Sequence, residues 1–424
     1  MKPARSFWLL ALLALPVTVL VAGAGRMGNR HAQQPPVRIV DLKTPDGTLL
    51  KASYFAAAKP GPGVLLLHQI NRDRKSWDNL AEQLAAAGIH TLTLDLRGHG
   101  ESGGTPFEKR TPAEVDEDWR RRPGDVDLAL QYLTAQPGVD REVIGIGGAG
   151  SFGVLTGVAT AQRHPGQVKS LVLISGETPR DGLQFLHQAS QLPGLFVVDD
   201  EDEYPPTAEA MALLYVTASS PGKKFVHYSA AKDAPWLWYE PFDVGRVRAN
   251  GHHGTDLFTT HQELPGIIVE WLVTTLITTP GHAPADPLAA GSILNQLQTP
   301  SGIAPATTQL KDARKKDPAV QLFPEISASI VGQDYLREKD SKSAIGVFQL
   351  ILLAYPTSAD AHENLAEAYL ANGRKDLARQ YADTALALLN SHAAPASSWS
   401  DTDQQRGEIR RSAENVLTQV SSTH

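Results

Sequence analysis

Three short stretches of the chain hold side chains that together could perform acyl transfer. Ser151 lies in a glycine-rich stretch, two histidines, His252 and His253, precede Gly254, and a run of acids fills positions 199–203. A serine hydroxyl attacks a carbonyl group when a general base takes its proton, and a carboxylate orients that base. These are the residue types that a hydrolytic triad combines, and here they come from distant parts of the chain.

Buried strands that alternate with helices are expected to position these residues. The hydrophobic pattern predicts strands at 37–42, 49–55, 63–68, 90–96, 143–147, 168–175, 194–198 and 224–228, and helices at 76–87, 123–136, 154–163 and 264–276. This alternation predicts an α/β fold with a mostly parallel, doubly wound sheet covered by helices on both faces. The active sites of such sheets lie at the carboxyl ends of the strands.

Three ordered stretches resemble the α/β-hydrolase family, and more narrowly its small lidless members akin to dienelactone hydrolases. They are Leu-Leu-Leu-His-Gln-Ile at 65–70, Thr-Leu-Asp-Leu-Arg-Gly-His-Gly-Glu-Ser at 93–102, and Gly-Ala-Gly-Ser-Phe-Gly at 148–153. The second is close to the family's D-x-R-G-x-G-x-S turn. The resemblance covers roughly residues 37–276 and implies a serine hydrolase that cleaves a small ester, thioester or amide.

The turn that carries the nucleophile has two possible registers. In the family, the nucleophile stands on a sharp strand-to-helix turn with small residues two positions before and after it. Ser151 has Ala149 and Gly153 in those positions. A count along the preceding strand would place Gly150 on the turn, with Phe152 as a flank that is expected to clash. The steric requirement therefore favours Ser151 as the nucleophile.

The resemblance also implies which histidine and which acid complete the triad. The family's general base stands directly before a glycine in the loop after the last strand, which selects His253 over its neighbour His252. The family's acid follows the strand at 194–198. There the spacing selects Asp202, with Asp200 as the alternative.

Backbone amides are expected to stabilise the oxyanion that forms during acyl transfer. The resemblance gives this role to the amide of Phe152, the residue after the predicted nucleophile, and to the amide of Ile70. Gln69 stands where many relatives have glycine. Its side chain is expected to narrow the site or to supply a further donor.

The composition excludes several classes of function. The 424 residues carry a formal net charge of −7 and include no cysteine. A chain without a basic stripe is not expected to bind nucleic acid, and a chain without cysteine has no disulfide, thiolate metal site or cysteine nucleophile. Neither a metal nor a cofactor is expected, and the expected partner is a small acyl substrate.

The N-terminus has the three-part layout of a secretory signal. Lys2 and Arg5 precede an apolar run over 7–21, and Ala22-Gly23-Ala24 is an acceptable cleavage site. We therefore expect residues 1–24 to be a signal peptide and the mature protein to be periplasmic or secreted. Contact with a membrane is expected if this segment stays uncleaved.

The composition changes after the predicted hydrolase domain, which is assigned to residues 35–277. Residues 278–324 are rich in Pro, Ala, Thr, Gly and Ser, which indicates a linker with a little helix in it. Residues 325–421 have a purely helical pattern, and the last part of this region, 401–419, is expected to form a capping helix.

The helical region contains an internal repeat of 34 residues. Four positions of the first half have counterparts 34 residues later in the second half. Gly332, Tyr335, Ala344 and Phe348 correspond to Ala366, Tyr369, Ala378 and Ala382. This pattern resembles the tetratricopeptide (TPR) repeat, in which small residues let paired helices approach closely. The resemblance implies a possible protein or peptide partner for this domain.

A second hypothesis uses the same features differently. The hydrolase fold would be a catalytically inactive scaffold, and the TPR-like repeats would mediate protein–protein interaction. The irregular turn around Ser151 is the main support for this alternative.

Overall fold

The structure is a computed structural model that describes residues 35–204, 206–228, 251–286, 292–391 and 403–422. The predicted signal peptide, residues 1–24, lies outside the described residues. Among the helices that are described, none is both long and apolar enough to cross a membrane.

An eight-stranded sheet forms the first part of the molecule. Its strand order is β1-β2-β4-β3-β5-β6-β7-β8. The pairs β1–β2 and β2–β4 are antiparallel and the remaining pairs are parallel. The predicted fold class is confirmed. The strands are β1 (Arg38–Lys43), β2 (Leu49–Phe55), β3 (Gly61–Leu67), β4 (His90–Leu94), β5 (Val139–Ala149), β6 (Val168–Ile174), β7 (Gly194–Asp199) and β8 (Lys223–Tyr228).

Helices cover both faces of this sheet, which explains why its central strands are continuous apolar runs. Val64, Leu65, Leu66 and Leu67 of β3 have no exposed surface. The helices of this part are α1 (Asp78–Ala86), α2 (Pro112–Thr134), α3 (Gly150–Arg163), α4 (Arg180–Gln188), α5 (Pro206–Thr217), α6 (Leu257–Thr260) and α7 (Leu264–Leu272).

Helix α2 begins well before the predicted start at 123. Thr111 caps the helix, since its side chain accepts from the amide of Glu114 while the Glu114 carboxylate accepts from the amide of Thr111. Pro112 occupies the first turn, where proline is tolerated. The prediction treated Pro123 as the first residue, but Pro123 lies inside the helix.

The turn after β4 is a scaffold built on two buried ion pairs. Asp95 accepts from the amides of Arg74 and Glu101 at 2.7 and 2.9 Å, and it also pairs with the Arg74 guanidinium. Arg97 donates to both carboxylate oxygens of Asp125 at 2.8 Å. These contacts fix the carboxyl end of β4 beside the loops that carry the candidate active site.

A helical domain follows the sheet. Its helices are α8 (Ile293–Leu297), α9 (Ile303–Lys316), α10 (Glu325–Arg337), α11 (Ser341–Ala354), α12 (Ala359–Ala371), α13 (Lys375–Asn390) and α14 (Asp403–Ser421). Apolar residues of α8 and α9, which lie in the predicted linker 278–324, belong to the same hydrophobic cluster as those of α10 to α13. Helix α14 overlaps the predicted capping helix at 401–419 and packs against α12 and α13.

The small residues of the 34-residue repeat lie where helices pack closely. A Cβ atom placed on Gly332 in α10 would lie 2.4 Å from the ring of Phe348 in α11. Ala344, Ala366, Ala378 and Ala382 are fully buried. This packing explains the residue pattern, while the assignment of the domain to the TPR family stays a prediction.

The helical domain packs directly on the sheet domain. Ile326 and Ile330 of α10 belong to the same hydrophobic cluster as residues of the sheet and of helices α2 to α5. Arg180 of α4 donates to Asp360 of α12 at 2.9 Å, and His187 Nε2 lies 2.8 Å from Asp334 Oδ2. The two parts therefore share both an apolar core and polar contacts.

We expect substitutions of two helical glycines to change stability in opposite directions. Gly332→Ala should lower the free energy of unfolding by about 1–3 kcal/mol, because the new methyl group overpacks against Phe348. The control, Gly124→Ala in α2, should raise it by about 0.5–1 kcal/mol, since nothing lies within 4 Å of its Cβ position. Urea unfolding followed by circular dichroism measures both, and a stabilising Gly332→Ala would contradict this account.

Candidate active site

Four loops meet at the carboxyl end of the parallel strands. They follow β3, β5 and β7 and include the segment that begins at Gly251. This is the edge where open α/β sheets bind their ligands. All the residues predicted to act in catalysis lie in these loops or in the first turn of α3.

The sharp turn between β5 and α3 carries Gly150. Gly150 has a φ angle of +63°, which glycine adopts easily and which the nucleophile of this fold also adopts. The strand and helix approach closely on either side, since a Cβ atom on Gly148 would lie 2.1 Å from the carbonyl oxygen of Gly153. The structure thus places Gly150 on this turn and Ser151 at the next position, in the first turn of α3. The role of Ser151 as the nucleophile stays a prediction.

Phe152 does not clash as the sequence argument expected. Its ring points into an aromatic cluster and lies 5.2–6.0 Å from the rings of His99, Phe107 and Trp119. The Arg122 guanidinium lies 4.2 Å from the centre of the same ring. The close approach of helix to strand occurs at Gly153 instead, so a phenylalanine fits at 152.

His253 and Asp202 form a buried pair. His253 Nδ1 lies 3.0 and 3.1 Å from the two carboxylate oxygens of Asp202, and the residues are 5% and 1% exposed. A Cβ atom placed on Gly150 would lie 3.1 Å from His253 Nε2. The second ring nitrogen therefore faces the turn. Within the part of the chain that the structure describes, no hydrogen bond joins the Ser151 hydroxyl to His253.

The alternatives to His253 and Asp202 have other partners. His252 Nδ1 lies 2.8 Å from Asp199 Oδ2, and Asp200 pairs with His227. The two neighbouring histidines thus point to different carboxylates. The structure brings together the pair that the resemblance selected.

Gln69 fixes the histidine loop against the loop after β3. Its side-chain amide donates to the carbonyl oxygen of His253 at 3.0 Å, and its side-chain oxygen accepts from the amide and the hydroxyl of Thr255 at 2.7 and 3.0 Å. A Cβ atom on Gly150 would lie 2.5 Å from the Cβ of Gln69. Gln69 therefore positions the base and also closes the space beside Gly150.

Backbone amides at the start of α3 remain available to bind an anion. The helix begins at Gly150, so the amides of Ser151 and Phe152 belong to its first turn, where amides have no acceptor within the helix. Because Gly150 stands on the turn, Ser151 is the residue that follows the turn. Its amide therefore takes the oxyanion-binding role that the sequence analysis gave to the amide of Phe152. Ile70, the other predicted donor, directly follows Gln69 in the chain.

Comparison with known proteins supports the fold. A family model described as alpha/beta hydrolase fold matches residues 62–211. Thiohydrolase aneE of Aspergillus aculeatus is 32% identical over 125 residues, which cover 29% of this chain and 35% of the relative. A monoacylglycerol lipase of Mycolicibacterium smegmatis is 31% identical over 140 residues, which cover 32% of this chain and 42% of the relative.

The chain thus spans well under half the length of these curated relatives. Among solved structures, a dienelactone hydrolase from Anabaena variabilis is 20% identical, with a TM-score of 0.40 over 57% of this chain and 99% of that one. The match to the family model and the strand order show the α/β-hydrolase fold, followed by an all-helical domain.

The contact between Gln69 and Gly150 predicts that a serine nucleophile needs two substitutions. Gly150→Ser alone should not react with a fluorophosphonate probe, because the new Cβ would overlap Gln69. Gly150→Ser combined with Gln69→Gly should react at residue 150, because the overlap with the Gln69 Cβ is removed while Asp202 still holds His253 through Nδ1. Mass spectrometry of the labelled peptide measures this. Adding His253→Gln should abolish the reaction, and equal labelling of the single and double variants would refute the role given to Gln69.

Proposed function

We propose that this protein hydrolyses a small ester, thioester or amide, with His253 as the general base and Asp202 as the residue that orients it. The observation that carries this proposal is the buried pair of His253 and Asp202 beside the turn at Gly150. An ionised carboxylate only accepts hydrogen bonds, so His253 Nδ1 carries the proton. Nε2 then has a free lone pair with which to take a proton from a nucleophile.

A water molecule is the nucleophile that we propose. Gly150 has no hydroxyl group, and the Ser151 hydroxyl, the nucleophile predicted from the sequence, makes no hydrogen bond to His253. As the water oxygen attacks the carbonyl carbon, His253 Nε2 takes its proton. The bond to the leaving group then breaks, and the proton passes from His253 to that group.

The amides around the turn would stabilise the negative oxygen of the intermediate. The amide of Ser151 lies at the positive end of the α3 dipole, with that of Phe152 beside it. We propose that these donors, together with the amide of Ile70, bind the oxygen of the substrate carbonyl as negative charge develops on it. Pre-organised donors of this kind lower the barrier without reorganising during the reaction.

A cavity of about 850 Å³ adjoins the candidate active site. Ile70, Thr255 and Phe258 line it together with charged side chains such as Arg72, while the buried pair of His253 and Asp202 does not. Two relatives are named as a thiohydrolase and a monoacylglycerol lipase. Their names support an acyl thioester or ester as the substrate class of this protein.

A second candidate function is supported by Gly150 and Gln69. A turn without a hydroxyl, closed by a neighbouring side chain, is also what a catalytically inactive scaffold would show. The helical domain would then carry the function by binding a protein or peptide partner, as its resemblance to TPR repeats implies.

We also propose that the protein is exported to the periplasm or secreted. The support is the sequence of residues 1–24, with its basic start, apolar run and small residues before the cleavage site. N-terminal sequencing of the protein recovered from outside the cytoplasm should give residue 25 or a close neighbour as the first residue. An intact Met1 in that fraction would contradict cleavage.

Substitution of the base should abolish most of the activity. With a panel of short- and medium-chain esters and thioesters, we expect His253→Gln to lower kcat/KM by about 10²–10⁴-fold, because general-base catalysis contributes that much. Asp202→Asn should also lower kcat/KM. The control is His282→Gln, which replaces an exposed histidine that lies after α7, outside the loops of the candidate site.

The outcomes separate the possible functions. If the wild type turns over substrate but is not labelled by a fluorophosphonate, the water mechanism holds. If it is labelled and Ser151→Ala removes both the label and the turnover, Ser151 is the nucleophile and the water mechanism is wrong. A folded wild type that cleaves no member of the panel would favour the inactive scaffold.

A further inference from the structure

A second cluster of polar side chains lies beside the candidate active site. Asp199 ends β7, His252 precedes His253, and His261 follows α6. Asp199 Oδ2 lies 2.8 Å from His252 Nδ1 and 2.7 Å from His261 Nε2. The three potential ligand atoms all lie within 4.8 Å of one another. Two histidines from separate elements therefore converge on one buried carboxylate oxygen.

We propose that Asp199, His252 and His261 bind a divalent transition-metal ion, for which Zn²⁺ is the natural probe. Imidazole nitrogen and carboxylate oxygen are both zinc ligands, and three protein ligands leave a position open for water or a further ligand. In the structure, a ring nitrogen of each histidine faces the Asp199 oxygen at hydrogen-bond distance. A bound ion would replace those two N–H contacts, and each ring proton would move to the outer nitrogen of the same histidine.

Asp199 is 4% exposed, and both histidines share the Oδ2 atom of its carboxylate. Its other oxygen, Oδ1, accepts from the Glu201 amide at 2.8 Å, which fixes its orientation.

The outer nitrogens of both histidines also have carboxylates nearby. His252 Nε2 lies 4.0 Å from a Glu201 oxygen, and His261 Nδ1 lies 4.0 Å from a Glu263 oxygen. Histidines that bind metals almost always donate their second ring N–H to such a partner, which sets the tautomer and raises the basicity of the ligand. The Tyr228 ring stacks on His261 and holds its plane. Glu201 and Glu263 are therefore the candidates for outer partners, at separations longer than a direct hydrogen bond.

The site is independent of the proposed hydrolytic activity, although it lies in the same loops. Its ligand His252 adjoins the candidate base His253, and its ligand Asp199 lies three residues before Asp202. A bound ion would therefore hold both loops that carry the buried pair. Binding itself can be measured without a substrate.

Titration calorimetry of the full-length protein, after treatment with EDTA, tests the proposal. The wild type should bind one Zn²⁺ per chain. His261→Gln, which removes a ligand, should weaken binding by more than Glu263→Gln, which removes an outer partner and should cost about 10–100-fold. The controls are His227→Gln and His282→Gln, which keep the three ligands and should bind as the wild type does.

Binding of Co²⁺ to the wild type provides a second measurement that does not depend on the folding of any variant. The visible absorption of the bound Co²⁺ should report coordination by nitrogen and oxygen ligands, and competition with Zn²⁺ should remove it. An affinity and stoichiometry unchanged in His261→Gln, or a wild type that binds neither ion, would overturn the proposal.

Discussion

The contacts of the Gln69 side chain are the constraint on which the candidate active site depends. This side chain joins the loop after β3 to the loop that carries His253, through bonds to a carbonyl oxygen, an amide and a hydroxyl. The same loop has Gly254 at a φ angle of +59°, where a Cβ atom would lie 2.1 Å from the Gln69 oxygen. Gln69, which holds His253 in place, therefore also leaves no room for a side chain at positions 150 and 254, so both must be glycine.

Two polar networks share the same pair of loops. Asp199 ends β7 and Asp202 lies in the loop after it, while His252 and His253 lie in the loop that follows Gly251. Because consecutive residues in an extended segment point to opposite sides, one histidine reaches each acid. The same two loops therefore hold both the buried pair of His253 and Asp202 and most of the proposed cation site. No further helix or strand is needed to bring the pair and the site close together.

Much of the fold could be predicted from the sequence, because it depends on local patterns. All eight strands were predicted from the hydrophobic pattern and the turn signals between them. The family resemblance selected His253 by its place directly before Gly254, and Asp202 by its spacing after the strand at 194–198. The register of the turn could not be predicted in the same way. It depends on where the Phe152 ring lies, and the rings of His99, Phe107 and Trp119 come from distant parts of the chain. His261 was missed for a similar reason, since no motif spacing links it to Asp199.

The shared core between the sheet and the helical domain has a consequence for how the molecule loses its structure. Ile326 and Ile330 of α10 belong to the core of the sheet domain while their neighbours Ala328 and Val331 belong to the helical core. Heat or denaturant that loosens one half removes the support of the other, so both halves should melt in a single cooperative transition. A fragment that ends before α10 would leave an apolar face uncovered, which favours aggregation over a soluble isolated domain.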